Sequence, residues 1–245
     1  MLVVAVASHK GGSGKTTLAG HLAVEADRQG AGPVALIDTD PLGTLAEWSG
    51  VRASKTPHFA HTTRETLARD LPRLRQAGMA LVFIDTPPAS STAIREAVQF
   101  ADLVLVPTRP SPHDLRVIGE TVDLVGSLGK PLLFVINGAA SQAKITGEAT
   151  SLLSQHGTLA PAVLHHRVDY AASMIDGRTV MELPGATRSS TEIAALWACL
   201  NERLHELARA AAAAPAGARP AASAASSAER PSGPPPRAAA AGGAG

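Results

Sequence analysis

Short, unbroken apolar runs alternate along this chain with longer stretches in which apolar positions recur every three to four residues. The runs are residues 2–7, 34–37, 80–84, 103–106 and 132–136, rich in Val, Ile and Leu and with little polar alternation. That pattern predicts strands covered on both faces, as in a parallel sheet. The periodic stretches 16–28, 64–76, 112–128 and 147–156 predict helices between them. Strand–helix repetition of this kind predicts right-handed crossovers and a doubly wound, mostly parallel α/β sheet flanked by helices. A last periodic segment, 191–207, carries Ile193, Leu196, Leu200, Leu204 and Leu207 on one stripe. Its polar face mixes Glu202, Arg203 and Glu206, which favours a helix closing the core over one lying on a lipid surface.

The pattern stops at residue 207. Residues 208–245 contain 18 Ala, 6 Pro, 5 Gly and no Leu, Ile, Val or aromatic residue. Such a segment cannot bury enough apolar surface to offset its ordering entropy, so a disordered tail is expected after one folded domain over 1–207. The tail's four Arg and one Glu give it +3, leaving −2 on the body out of a net +1 for the chain. A globally basic nucleic-acid binder is thereby excluded, and any such contact has to come from a local patch. The single cysteine, Cys199, excludes an intrachain disulfide and a multi-cysteine metal site. No apolar run approaches a membrane span, and the stretch 2–7 has no basic region before it, so it reads as a first strand and not as a signal peptide.

Between the first strand and first helix stands Ser8-His9-Lys10-Gly11-Gly12-Ser13-Gly14-Lys15-Thr16-Thr17. Glycines let successive backbone N–H groups turn inward around phosphate oxygens, and the helix start adds its dipole. Lys15 would reach the terminal phosphates and the Thr16 hydroxyl would bind Mg²⁺. An accidental glycine turn would not be expected to coincide with strand, GKT and helix together. The usual first glycine of such a loop is missing, since His9 occupies its place, and an additional lysine follows at Lys10. Downstream, the second run ends in Asp38-Thr39-Asp40-Pro41-Leu42-Gly43 and the third in Asp85-Thr86-Pro87-Pro88. Carboxylates where parallel strands end sit at the ligand edge of a sheet and suit Mg²⁺ and an attacking water. The fifth run ends at Asn137, whose amide could cap a turn or pair with an adenine edge.

The loop resembles the K-G-G-x-G-K-[ST] signature of the ParA/MinD class of deviant P-loop ATPases, and the similarity extends over about residues 2–207. It includes Asp38–Gly43, which departs from the D-x-D-P-Q-G pattern at Leu42. It also includes the D-T-P-P motif, Pro110-Ser111-Pro112-His113-Asp114-Leu115, His165-His166-Arg167-Val168-Asp169-Tyr170, and Thr179-Val180-Met181-Glu182-Leu183-Pro184. The resemblance implies a P-loop NTPase fold with ATP and Mg²⁺ as cofactors. Gly11, Gly12, Ser13, Gly14, Lys15, Thr16 and Thr17 would hold the phosphates, with Asn137 on adenine. Thr16, Asp38 and Asp85 would serve the metal, Asp40 would orient the hydrolytic water, and Lys10 would reach the partner's phosphates across an ATP-sandwich homodimer.

Four functional classes share such a core. A compact partition or positioning ATPase binds nonspecific DNA as an ATP dimer and is released when a ParB-like or cargo-adaptor protein stimulates weak intrinsic hydrolysis. It moves a plasmid, chromosome or protein cargo and is cytoplasmic and nucleoid-associated. Arg167, Arg178 and Arg188 are the DNA-contact candidates, with Lys144 and Arg203 behind them; each could equally be an ordinary surface charge. The alternative, a MinD-like membrane-associated ATPase, needs an amphipathic C-terminal anchor, so no stable membrane association is expected from the Ala/Pro/Gly end. An iron–sulfur relative needs two cysteines per subunit, and a tyrosine kinase needs a tyrosine cluster where this chain has only Tyr170. Because the loop begins within ten residues of Met1, no helix-turn-helix domain is expected before it. The pairs His58/His61 and His165/His166 lack an evident third metal ligand and read as surface or core histidines.

Overall fold

The structure, a computed structural model, describes residues 1–141 and 143–213. The five apolar runs become the strands β1 (Leu2–Val6), β2 (Val34–Asp38), β4 (Leu81–Asp85), β5 (Leu103–Thr108) and β6 (Leu132–Ala139). Two further strands join them, the two-residue β3 (His58–Phe59) and β7 (Thr158–His165), in one sheet ordered β3-β2-β4-β1-β5-β6-β7 with every pairing parallel. The central strands are buried along nearly their whole length, which is why they read as apolar runs without alternation. Both edge strands escaped the sequence pattern: β3 has two residues, and β7 is interrupted by Pro161 and alternates irregularly between buried and exposed positions.

Helices cover both faces of the sheet. One face carries α1 (Lys15–Arg28), α2 (Thr44–Val51), α8 (Val168–Met174) and α9 (Arg188–Ala213) around a core with Leu18, Leu22, Trp48, Tyr170, Leu196 and Leu200. The other carries α3 (Leu67–Gln76), α4 (Ser91–Val98), α5 (Pro112–Arg116), α6 (Ile118–Ser127) and α7 (Lys144–His156). The expected helix 112–128 is thus two helices that meet at Val117, and the expected 64–76 begins with a 3-10 turn, Arg64–Thr66. The helices α2, α4 and α8 have only seven or eight residues, too few for a periodic signal to stand out.

The last helix runs six residues past the expected domain limit at 207, through Ala213. Ala208 and Ala210–Ala213 are the best helix formers available, and they carry the helix on without a core contact to hold it. The composition that removes core contacts therefore does not by itself end a helix already nucleated on a core. The expected disordered tail beyond Ala213 lies outside the described residues. Met1–Ala212 forms one compact unit.

Parallel register brings the functional strand ends level. Asp85 is the register partner of both Val6 and Asp38, so the phosphate loop after β1 and the two acidic loops leave the sheet side by side. The helix α2 is held at both ends. At its start the Asp38 carboxylate accepts the Leu45 and Ala46 N–H groups at 2.9 and 3.1 Å, doing the work of the cap that Gly43 cannot provide. At its end the buried Arg52 makes a bidentate pair with Glu182 (3.0 and 3.1 Å), donates to the Gly177 carbonyl at 2.6 Å and lies 4.7 Å over the Trp48 ring. Gly177, with φ +79°, is where the two segments touch, since an added Cβ would lie 2.7 Å from Arg52 backbone atoms.

Leu196 is fully buried on α9. Leu196→Ala is expected to lower unfolding free energy by about 2–5 kcal/mol in urea titration. A loss below about 1 kcal/mol would mean that α9 does not close the core.

Candidate functional site

The loop between β1 and α1 opens on a cavity of about 640 Å³. It is lined by Gly12, Gly14, Lys15, Thr16, Thr17, Leu18, Asp40, Leu42, Pro88 and Arg109, by Asn137 and Gly138 of β6, and by Leu164, His165, His166, Arg167, Tyr170 and Ala171 at and after the end of β7. Gly12 and Gly14 sit at φ +70° and +97°, a left-handed conformation that a side chain would strain. No side chain caps α1, so its first turn faces the cavity as backbone. Gly14 also admits the Asn137 amide, whose Nδ2 donates to the Ser13 carbonyl at 2.7 Å; an added Cβ at Gly14 would collide with that nitrogen.

Lys15 is buried and donates to the Lys10 carbonyl at 3.4 Å, the bond that curls the loop. Desolvation pulls its ammonium below the ordinary lysine range, while the Asp85 and Asp40 carboxylates oppose this. The Lys10 side chain makes no hydrogen bond or ion pair among the described residues, and Gly11 and Gly12 beside it are exposed. His9, in the place of the missing glycine, is buried instead of solvated. Its ring bridges Thr121 of α6 (2.9 Å) and Ser91 of α4 (3.0 Å), and burial lowers its pKa.

Thr16 donates to Asp85 Oδ2 at 2.6 Å. Burial pushes the Asp85 carboxyl up to about 7, with Asp38 and Asp40 adding to the rise and Thr16 and Lys15 working against it. Its Oδ1 and the Ser13 hydroxyl are buried without a protein partner among the described residues. A desolvated carboxylate with a free oxygen beside a threonine hydroxyl is a donor pair that fits Mg²⁺, which takes most of its ligands from water and phosphate. Such a cation would hold this carboxylate ionised. The Asp38 oxygens are engaged by backbone N–H groups of Asp40, Leu45 and Ala46, so Asp38 shapes the acidic loop directly. Asp40 lines the cavity, its Oδ1 accepting the Leu42 N–H at 3.0 Å. Leu42, where the resemblance leads one to expect Gln, is 76 % exposed at the cavity mouth.

The three arginines proposed for DNA separate. Arg167 stands in the cavity wall, bound to Glu192 at 2.6 Å, and so is not a free surface charge. Arg178 is exposed and paired with Asp176 at 2.7 Å. Arg188, at the start of α9, is exposed and has no ion pair among the described residues, as is also true of Lys144. Arg203 is paired with Glu206. No group of three or more potential metal-ligating His, Cys, Asp or Glu residues occurs among the described residues, and His165 instead bonds Glu192. Two site residues lay outside the motif reading. Arg109, directly after β5, packs against Gly12 (its Nη2 would be 3.2 Å from an added Cβ), and Glu192 of α9 binds three cavity residues.

Site and fold together define a P-loop nucleotide-binding protein. Residues 4–184 match the model of the CobQ/CobB/MinD/ParA nucleotide binding domain, and the chain belongs to that family. It is 45 % identical over 122 residues to the Maintenance of carboxysome distribution protein A of Gloeobacter kilaueensis, a match covering 49 % of this chain and 55 % of that one. The chain thus spans about half the length of that relative. A protein of the same name from Halothiobacillus neapolitanus is 27 % identical over 199 residues, covering 77 % of this chain and 91 % of its own. Among solved structures, an ATP complex of a Cyanothece McdA variant aligns at TM-score 0.63 and 19 % identity, over 82 % of this chain and 96 % of that one. The MinC:MinD complex of Aquifex aeolicus aligns at TM-score 0.70 and 17 % identity, over 82 % of this chain and 96 % of that one. These two likenesses show the fold.

Beneath the loop, His21 of α1 is fully buried, with Nδ1 at 2.8 Å from the Thr17 carbonyl and its ring edge-on to Tyr170. Burial lowers its pKa from 6.5 to about 4. The folded chain therefore binds fewer protons at this site than the unfolded chain between those values. The stabilisation is complete above pH 6.5 and is lost as pH falls through 4. Compared with His21→Phe, wild type should lose up to roughly 3 kcal/mol more stability between pH 7 and 4. Parallel stability–pH curves for the two proteins would refute this.

Proposed function

We propose that this chain is an ATP-dependent positioning ATPase that cycles between a monomer and an ATP-sandwich homodimer, and that the dimer binds nonspecific DNA. The observation that carries the reading is the pair of lysines on one loop. Lys15 is buried against Asp85 and Asp40, whereas the half-buried Lys10 side chain has no hydrogen bond or ion pair among the described residues. A cation that close to a phosphate site and unused within its own subunit fits a role across an interface.

In this reading Gly11–Thr17 holds the ATP phosphates and Lys15 contacts the terminal ones. Asn137, already fixed to the loop, keeps its carbonyl oxygen for adenine. Thr16 and Asp85 would hold Mg²⁺, with Asp38 supporting that shell; the ion supplies charge neutralisation between the terminal phosphates. Asp40 orients the hydrolytic water. Intrinsic turnover is weak because the charge clamp is incomplete until a ParB-like or cargo-adaptor protein engages. Arg178 and Arg188, with Lys144, supply the DNA contacts when dimerisation doubles them on one face, and this would place the protein in the cytoplasm on the nucleoid. The similarity to carboxysome-distribution proteins supports a protein-bodied cargo over a plasmid or chromosome.

Lys15→Ala is expected to abolish nucleotide binding. Lys10→Ala should bind ATP yet remain monomeric in light scattering, and an intact ATP dimer in that variant sinks the cross-subunit role. Asp40→Ala should dimerise and lose hydrolysis about a hundredfold. ATP should raise affinity for random-sequence duplex at low salt, with the gain vanishing as salt rises. Equal DNA affinity with and without ATP would refute the positioning cycle, and ATP-dependent sedimentation with anionic liposomes would favour the membrane-associated alternative.

A further inference from the structure

The wall of the cavity opposite the phosphate loop is built around one carboxylate that belongs to neither the wall nor the loop. Glu192 lies in the second turn of α9 and accepts from three side chains and one backbone group of a single segment. Its Oε1 takes His165 Nδ1–H at 2.8 Å and Arg167 Nη2–H and Nε–H at 2.6 and 3.1 Å. Its Oε2 takes the Tyr170 hydroxyl at 2.9 Å and the His165 backbone N–H at 3.1 Å. Five donors saturate the lone pairs of a carboxylate, so the group can rotate no further. The Arg167 guanidinium and the other donors hold it below the ordinary glutamate range despite its burial.

A second set of contacts fastens the same segment to the same helix. Ser189 Oγ donates to Asp169 Oδ2 at 2.6 Å. The Tyr170 ring meets His21, which in turn holds the Thr17 carbonyl of the phosphate loop. A continuous path therefore runs from α9 through Glu192, Tyr170 and His21 to the loop. His165, Arg167 and Tyr170 line the same cavity as Lys15, and they stand at and just after the end of β7, three places along the sheet from the β1 strand that carries the phosphate loop. A nucleotide whose phosphates occupy the loop points its nucleoside half at that end.

We propose that Glu192 is the positioning residue of the nucleoside wall: it freezes His165, Arg167 and Tyr170 in one arrangement before the nucleotide arrives. The binding site then has little ordering entropy to lose on that side, and affinity for the nucleoside half depends on a residue that does not line the cavity. The inference rests on the nucleotide reading of the cavity and concerns only its distal end.

The experiment compares two ligands on the full chain with Mg²⁺ present: ATP, and tripolyphosphate, which has the phosphates without the nucleoside. Glu192→Gln keeps the volume and removes the charge. It should weaken ATP binding about tenfold, the cost of unpairing a charged hydrogen bond, and leave tripolyphosphate binding within about twofold of wild type. Tyr170→Phe keeps the ring against His21 and removes one bond to the carboxylate. It should show the same selectivity with about a threefold loss. Equal losses for both ligands would make Glu192 merely structural and overturn the proposal, as would no loss for either. Should Glu192→Gln fail to fold, Glu192→Asp, which keeps the charge and shortens its reach to His165, Arg167 and Tyr170, decides by the same criteria. A wild-type chain that bound tripolyphosphate and ATP equally well would remove the nucleoside wall altogether, and one that bound neither would remove the nucleotide reading beneath it.

Discussion

The burial of the Asp85 carboxylate at the end of a central strand is the constraint around which the site is arranged. Its register places it level with Val6 and Asp38, so it cannot move without shifting three strands. Thr16 satisfies one oxygen, and the other is left buried and unpartnered. An unpaired oxygen in that position is costly in the empty protein and becomes an advantage only when a cation arrives. The neighbouring threonines make the strand ends rigid: Thr39 bonds the Asp85 carbonyl through both its N–H and its hydroxyl, and Thr86 bonds the Val6 carbonyl. The phosphate loop and the two acidic loops are thereby locked together at their roots and are free only at their tips.

Much of this was legible in the chain itself because its signals are contiguous. A phosphate loop is ten successive residues, and the acid ending each buried strand directly follows an apolar run. The central strands, buried on both faces, declared themselves for the same reason. What stayed hidden depends on residues far apart in sequence. Glu192 reads as one more polar residue of an amphipathic helix, and only the folded chain brings it to His165, 27 positions away. Arg167 reads as an exposed charge until that pairing is seen. Arg109 follows a strand like many surface residues, and its place over Gly12 is set by the β1–β5 pairing. The short helices stay below the signal because seven or eight residues offer barely two turns of periodicity, and the edge strands because β3 has two residues and β7 is broken by Pro161. The helix past residue 207 was missed because a composition argument about cores says nothing of a helix that has already started.

His9 and Leu42 are where this chain departs from the pattern it otherwise resembles, and the structure gives them different meanings. His9 is integrated: it ties the phosphate loop to α4, which follows the second acidic loop, and to α6. Its replacement for a glycine is thus accompanied by partners that absorb its ring. Leu42 is not integrated. It stands exposed at the cavity mouth with only its backbone N–H engaged, on Asp40.

The double anchoring of α2 has a mechanical consequence. With Asp38 gripping the first turn and Arg52 locked into Glu182 and Gly177 beyond the last, the helix behaves as a beam pinned at both supports. Any displacement of Asp40 has two outlets: flexing of the short span 39–43, or a pull on the far pin. The far pin is the stretch 177–182, which includes Arg178, and Trp48 also holds it by donating to the Arg178 carbonyl at 3.3 Å. A side chain buried at the distant end of α2 therefore joins the span 39–43, through one helix and outside the sheet, to the stretch that carries the exposed Arg178.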